Sequence, residues 1–328
     1  MSVRQIRQGL FVCSGALALS ACGGGGGGPQ VAAIPTAPAT PTPTPAPAPP
    51  IPPPHLGLVS AQPFAVVGIG DSYTTNSAGD REAPLSGPTV QDVQFSYNSS
   101  SNSYQISLPG FQSGTLANTA YNGSSGQPAT SSFSWVTAGS SSDLQQVHVS
   151  LPVPGSSFSP YTYTSFGSWD GKTGVASDGR LNWQEGDFAY GIPTGAGDVP
   201  LTGTASYLAD VHGSIGANYW IPVTGTANLS FDFAGGSLSG SMHAGIFDHF
   251  DGVEMDFGQY AFTQTVYSTG STTFSGKFII PNLPNADSAF AGMFTGPGAA
   301  ELMARFQAPF LLNGQQGTMS GVWVGKKN

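Results

Sequence analysis

Three groups of side chains in this 328-residue chain have types and spacings that could do chemistry. Residues 66–74, Val-Val-Gly-Ile-Gly-Asp-Ser-Tyr-Thr, place Ser72 behind Gly70 and Asp71, where a serine at a strand end could serve as a nucleophile. Such a serine needs a base and a group to orient it. None of His55, His148, His212, His243 or His249 has an aspartate three residues before it, so the segment is expected to be a first strand followed by an Asp-Ser turn. Residues 248–256 gather Asp248, His249, Asp251, Glu254 and Asp256, oxygen donors of the kind a hard cation such as calcium prefers. Their spacing is not that of an EF-hand loop, and a solvated acidic loop is the plainer expectation. His212, His243 and His249 lie in or beside expected strands and raise non-covalent haem as a ligand, while the absence of a Cys-x-x-Cys-His motif excludes covalent haem. No catalytic residue, metal or cofactor is expected, and the chain does not read as an enzyme.

The amino terminus sets the expected compartment. Arg4 and Arg7 precede an apolar run over residues 9–19 that is too short to span a bilayer and reads as a signal peptide over residues 1–21. Leu19-Ser20-Ala21-Cys22 then matches the lipobox of bacterial lipoproteins, making Cys22 the expected lipidation (palmitate) site. A cysteine followed by six glycines has nothing to be buried in. Gly23 stands where an aspartate, by resemblance to known lipoproteins, retains them at the inner membrane, so the outer membrane is expected, with the cell surface favoured over the periplasmic face.

Cleavage would remove Cys13 and leave one cysteine, so stability must come from packing rather than an internal disulfide. It would also remove Arg4 and Arg7 and leave the remaining chain more acidic than the formal charge of −9. That balance argues against nucleic acid and against a basic membrane-docking face, leaving the lipid as the expected hold on the membrane. Residues 22–55 form a Gly/Pro-rich tether whose proline run favours polyproline II. At about 3.1 Å per residue, the stretch 29–54 could hold a folded body up to roughly 80 Å from its lipid.

The body is poor in helix formers and rich in Gly, Ser and Thr, an all-β composition. Residues 56–185 show short candidate strands at 64–69, 93–97, 103–108, 133–137, 144–149 and 161–169, separated by Gly/Ser/Asn/Pro loops. Residues 186–328 show longer strands with period two. Ala227, Leu229, Phe231 and Phe233 alternate with Asn228, Ser230 and Asp232, and Leu238, Gly240, Met242, Ala244 and Ile246 continue beyond a Gly235-Gly236 hairpin turn. With strands near 188–192, 201–212, 260–268, 272–280, 308–312 and 318–324, the count is about eight, which favours a closed antiparallel barrel filled by side chains. Tyr219 and Trp220 fall in an expected hairpin loop, where they could anchor a partner or fold over the barrel core.

The last segment adds a signature. Thr295-Gly296-Pro297 opens a turn, Ala299 to Arg305 are strong helix formers expected to make one short helix over the barrel end, and Met319, Gly321, Trp323 and Gly325 alternate in a closing strand. Residues 290–306 and 317–327 resemble the carboxy-terminal signature of transferrin-binding-protein-B-like surface lipoproteins. The resemblance implies a small β "handle" domain over residues 56–185, an eight-stranded barrel domain over 186–328, and capture of an extracellular protein or solute. A single such unit, where the transferrin receptors have two, leaves the ligand unnamed. The competing expectation is a structural or adhesive surface lipoprotein that uses the barrel for display. Residues 66–74 also look like the Gly-Asp-Ser block of SGNH-class esterases, but that class's Asp-x-x-His and Gly-x-Asn-Asp blocks are missing.

Overall fold

Alternating apolar residues dictate strands, and the computed structural model is built almost wholly from them. It describes residues 62–328 apart from 77–80, 102, 112, 118–129, 137–145, 153–158, 217–219, 249–252, 281–282, 284–285 and 313. The first ten strands are β1 (Gln62–Pro63), β2 (Ala65–Thr75), β3 (Arg81–Gln91), β4 (Gln94–Asn98), β5 (Ser103–Ser107), β6 (Gly114–Ala117), β7 (Thr130–Val136), β8 (Gln146–Pro152), β9 (Thr164–Val175) and β10 (Leu181–Gly191). They form a four-stranded sheet, β1-β4-β5-β6, and a six-stranded sheet, β3-β2-β10-β9-β8-β7. The remaining strands are β11 (Thr204–Gly216), β12 (Trp220–Asp232), β13 (Ser237–Asp248), β14 (Val253–Val266), β15 (Thr273–Ile279), β16 (Ala289–Thr295), β17 (Glu301–Leu312) and β18 (Gln315–Lys327). These eight close into an antiparallel barrel when β18 pairs with β11.

Rings fill the barrel. Tyr207, Phe231, Phe233, Tyr267, Phe274 and Phe294 are buried at the end where β16 runs into β17, and Phe231 meets Phe294 edge-on at 4.8 Å. Further along, Phe278, Phe290 and Phe306 surround the fully buried Trp323, whose ring centroid lies 5.2 Å from that of Phe290. Each such ring contributes about 1.5–3 kcal/mol by burial. The outward positions of the exposed wall, such as Thr224, Asn228, Ser230 and Ser239, are polar and solvent-facing.

The six-stranded sheet is covered twice. On one side Phe188 and Tyr190 of β10 pack with Phe95, Tyr104 and Ile106 of the four-stranded sheet, making a sandwich. On the other, Ala189 and Val67 pack on Met303, Val322 and Val324, which point out of the barrel. Residues 185–191 are therefore buried without a break, the pattern expected of a strand with both faces covered. Trp169 of β9 lies across Gly186 and Gly70, its register neighbours. A Cβ at Gly186 would run into the indole and into the Ile69 carbonyl.

Two sequence expectations change. Residues 299–305 are not a helix: only Pro297–Ala299 form a 3-10 turn, and Glu301–Leu312 is a barrel strand. Helix propensity in that segment is worth at most about 0.7 kcal/mol per residue, and it yields to inward packing of Leu302, Ala304, Phe306, Ala308 and Phe310 with pairing on both edges. The strand expected at 188–192 opens no barrel but lies within β10, while the sequence reading passed over β16, which completes the eight. β9 is separated from the barrel in the chain by β10 and residues 192–203. The outer side of the closing strand is itself covered: Ser320, Val322 and Val324 are buried.

Because the Gly186 site has no room for a methyl, Gly186→Ala should lower stability to urea by about 1–3 kcal/mol. Gly87→Ala, at an open position, should leave it unchanged.

Candidate functional site

The expected site residues fall into separate places. Cys22 and Tyr219 lie outside the described residues, and Trp220 opens β12 opposite Gly216. Ser72 sits inside β2, opposite Gln184 and Ser86, so the strand runs through the expected Asp-Ser turn to Thr75. Within the acidic run, His249 and Asp251 lie outside the described residues. Asp256 is exposed, pairs with His243 Nε2 at 2.8 Å and accepts the Gly258 N–H. These contacts hold its carboxyl below the ordinary range, the Gly258 N–H most of all. No group of three or more metal-ligating side chains occurs among the described residues. His212 and His243 are not brought together: His243 faces solvent, whereas His212 is stacked on Phe166 with ring centroids 3.6 Å apart.

What the fold does bring together is the seam between the six-stranded sheet and the barrel, centred on the turn 296–301. Gly296 has φ +70°, where a side chain is strained, and a Cβ there would strike the Tyr163 ring. Its N–H donates to the Ile192 carbonyl, and its carbonyl accepts from Thr194 Oγ1 at 2.6 Å. The Tyr207 hydroxyl, inside the barrel, donates to the Ala299 carbonyl and so pins the turn from below. Ala299 has φ +55°, a left-handed conformation that costs about 1–2 kcal/mol in a non-glycine residue.

Glu301 follows the turn and is buried. Its two carboxylate oxygens accept the N–H groups of Thr162 (2.7 Å) and Tyr163 (2.8 Å), just before β9. Burial pushes its carboxyl up, against the pull of those N–H groups and of Lys326. Hydrogen bonds to a charged acceptor contribute about 1.5–3 kcal/mol each. Alongside, the hydroxyls of Thr164 and Thr295 share a hydrogen bond of 2.6 Å, and the Tyr161 hydroxyl donates to Asp210 Oδ2 at 2.6 Å. The segment Gly296-Pro-Gly-Ala-Ala-Glu301 thus fastens two sheets together.

Two titratable groups are buried in the seam at a cost. Burial pushes His212 down to about 4, partly offset by Asp210, and its Nε2 has no hydrogen-bond partner among the described residues. Burial also raises Asp187 well above the usual carboxylate range, helped by the neighbouring Glu185 and Asp71, and its Oδ2 has no hydrogen-bond partner among the described residues. The sequence reading missed Glu301, Asp187 and the Phe166–His212 stack. The one signal available for them was an acidic pair, Glu185 and Asp187, inside a run otherwise buried.

No protein-family model and no curated protein matches the chain. Solved structures do. Intact Ap-TbpB (N and C lobes) is 17% identical over 79% of this chain and 46% of that one, with a TM-score of 0.40. A double mutant of Transferrin Binding Protein B from Haemophilus parasuis Hp5 is 14% identical over 81% of this chain and 76% of that one (TM-score 0.38). The isotype 1 Transferrin binding protein B from serogroup B Neisseria meningitidis is 14% identical over 79% and 44%, also at 0.38. The chain spans less than half the length of the first and third of these.

The seam's titrations have opposite signs. Unfolded, His212 takes up a proton near 6.5, and folded only near 4, so its contribution is intact above 6.5 and is lost as pH falls to about 4. Asp187 is raised when folded, so its contribution is intact below the ordinary 3.8 and is lost as pH rises through the folded value. Asp187→Asn should therefore raise stability at neutral pH, with the gain shrinking on acidification. Urea unfolding at pH 7.5 and pH 4 measures this.

Proposed function

We propose that this chain is a lipid-anchored, non-enzymatic surface protein of the outer membrane that binds an extracellular protein or solute with the outside of its folded body. The observation that carries the reading is the barrel's polarity: rings inside, and Thr224, Asn228, Ser230 and Ser239 facing out on the uncovered wall. A membrane-spanning barrel has the reverse arrangement, an apolar outer band and a polar interior. A barrel so filled holds its ligand on its surface and loops rather than in its middle. Such a body would be carried at a distance by the tether and anchored through Cys22, in keeping with Leu19-Ser-Ala-Cys. The closing signature's resemblance to transferrin-binding-protein-B-like lipoproteins favours an external protein as the partner.

Cys22→Ala should move the protein from the membrane fraction to the soluble fraction, and protease added to intact cells should remove the folded body. Immobilised residues 56–328 should then retain one stoichiometric partner from extracellular fluid. Retention of none, together with altered surface attachment of cells lacking the protein, would favour the structural or adhesive role instead.

A further inference from the structure

The six-stranded sheet covers only part of the barrel wall, and a recess of about 350 Å³ opens where its cover ends. Its floor follows one cross-strand row of outward positions, in which Arg305 of β17 lies opposite Ala291 of β16, Ala291 opposite Ser275 of β15, and Ser275 opposite Val266 of β14. Ala291 and Ser275 are short, so the floor sinks between the two longer side chains at either end. Val67 of β2 closes the covered side, and Val266, 63% exposed, stands at the open side.

Arg305 is half-buried here and meets no carboxylate among the described residues. The ion pairs of Arg180 with Glu82 and Asp178, of His243 with Asp256, and of Lys277 with Asp287 do not involve it. Arg305 also makes no hydrogen bond to any described residue. The seam's acids Asp71 and Glu185 act on Asp187, whereas the lowering of Arg305 has burial as its one cause. A guanidinium withdrawn from water without a counter-charge is an unfavourable arrangement, and the bidentate fork it presents matches a carboxylate. The walls narrow the choice further. Val67, Val266 and Met293 are apolar, while Ser275 and Ser268 offer hydroxyls at the margin. One cation balances one negative charge, and in a chain of formal charge −9 a dianionic phosphate would leave an excess.

We propose that this recess binds a single carboxylate carried on a short apolar stem, with Arg305 pairing the carboxylate and Val67, Val266 and Met293 packing on the stem. A free short-chain fatty acid and the glutamate side chain of a bound protein both present this group. The site is independent of where the protein is displayed.

The test uses residues 56–328 once a single cooperative unfolding transition has shown that they fold, and the full chain otherwise. Butyrate and the peptide acetyl-Ala-Ala-Glu-Ala-Ala-amide are titrated in separate arms, with the Gln peptide as control, and read by calorimetry or NMR. At least one probe should bind saturably, more weakly at high salt. Arg305→Gln should weaken that binding by about tenfold or more. Val266→Trp, which narrows the opening and leaves Arg305 in place, should weaken it as well and serves if Arg305→Gln does not fold. Binding of butyrate assigns the site to a free acid, and binding of the Glu peptide alone assigns it to a partner's side chain. Failure of both probes to bind, or binding that folded Arg305→Gln leaves unchanged, overturns the proposal.

Discussion

The structure depends on one constraint: β10 and its neighbours are a middle layer, packed on the sandwich core on one face and on the barrel wall on the other. A layer in that position has little water to solvate its backbone or side chains, so every polar group in it needs an internal partner. The turn 296–301 meets much of that demand. It spends glycine at a left-handed position, tolerates Ala299 at positive φ and presents a carboxylate to two N–H groups of the neighbouring sheet. All of these strands belong to one compact unit, Ile51–Asn328.

That arrangement bears on how the body could bind. Rings occupy the barrel's middle and the sandwich covers part of its wall, so the surfaces left to a partner are the polar outer wall, the loops and the recesses at the margins of the cover. One recess lies beside Arg305; another, of about 500 Å³, opens in the sandwich, with Phe64, Phe95 and Ile106 on its floor. A body whose sheets are locked to each other presents such surfaces in a fixed relation, which lowers the ordering cost of binding.

The barrel was legible in the sequence wherever one face met water. The alternation Ala227-x-Leu229-x-Phe231-x-Phe233 and its continuation from Leu238 to Ile246 gave strands, inward faces and the Gly235-Gly236 turn correctly, because half-buried strands write their orientation into period two. Reading failed where cover was added from elsewhere in the chain. Glu185 to Gly191 are buried on both faces and so lose the alternation, and the segment passed for a barrel strand. Ala299 to Arg305 carried good helix formers, but the inward series from Leu302 to Phe310 was already present and decided the outcome once two neighbours were there to pair. The role of Glu301 was not legible, because its partners, Thr162 and Tyr163, are 139 and 138 residues away in sequence.

The central claim is that sandwich and barrel form one cooperative body held through the middle layer. Calorimetric unfolding of residues 56–328 tests it most directly. One transition, with calorimetric and van't Hoff enthalpies in agreement, is the predicted result. Two separable transitions, one for the sandwich and one for the barrel, would contradict it.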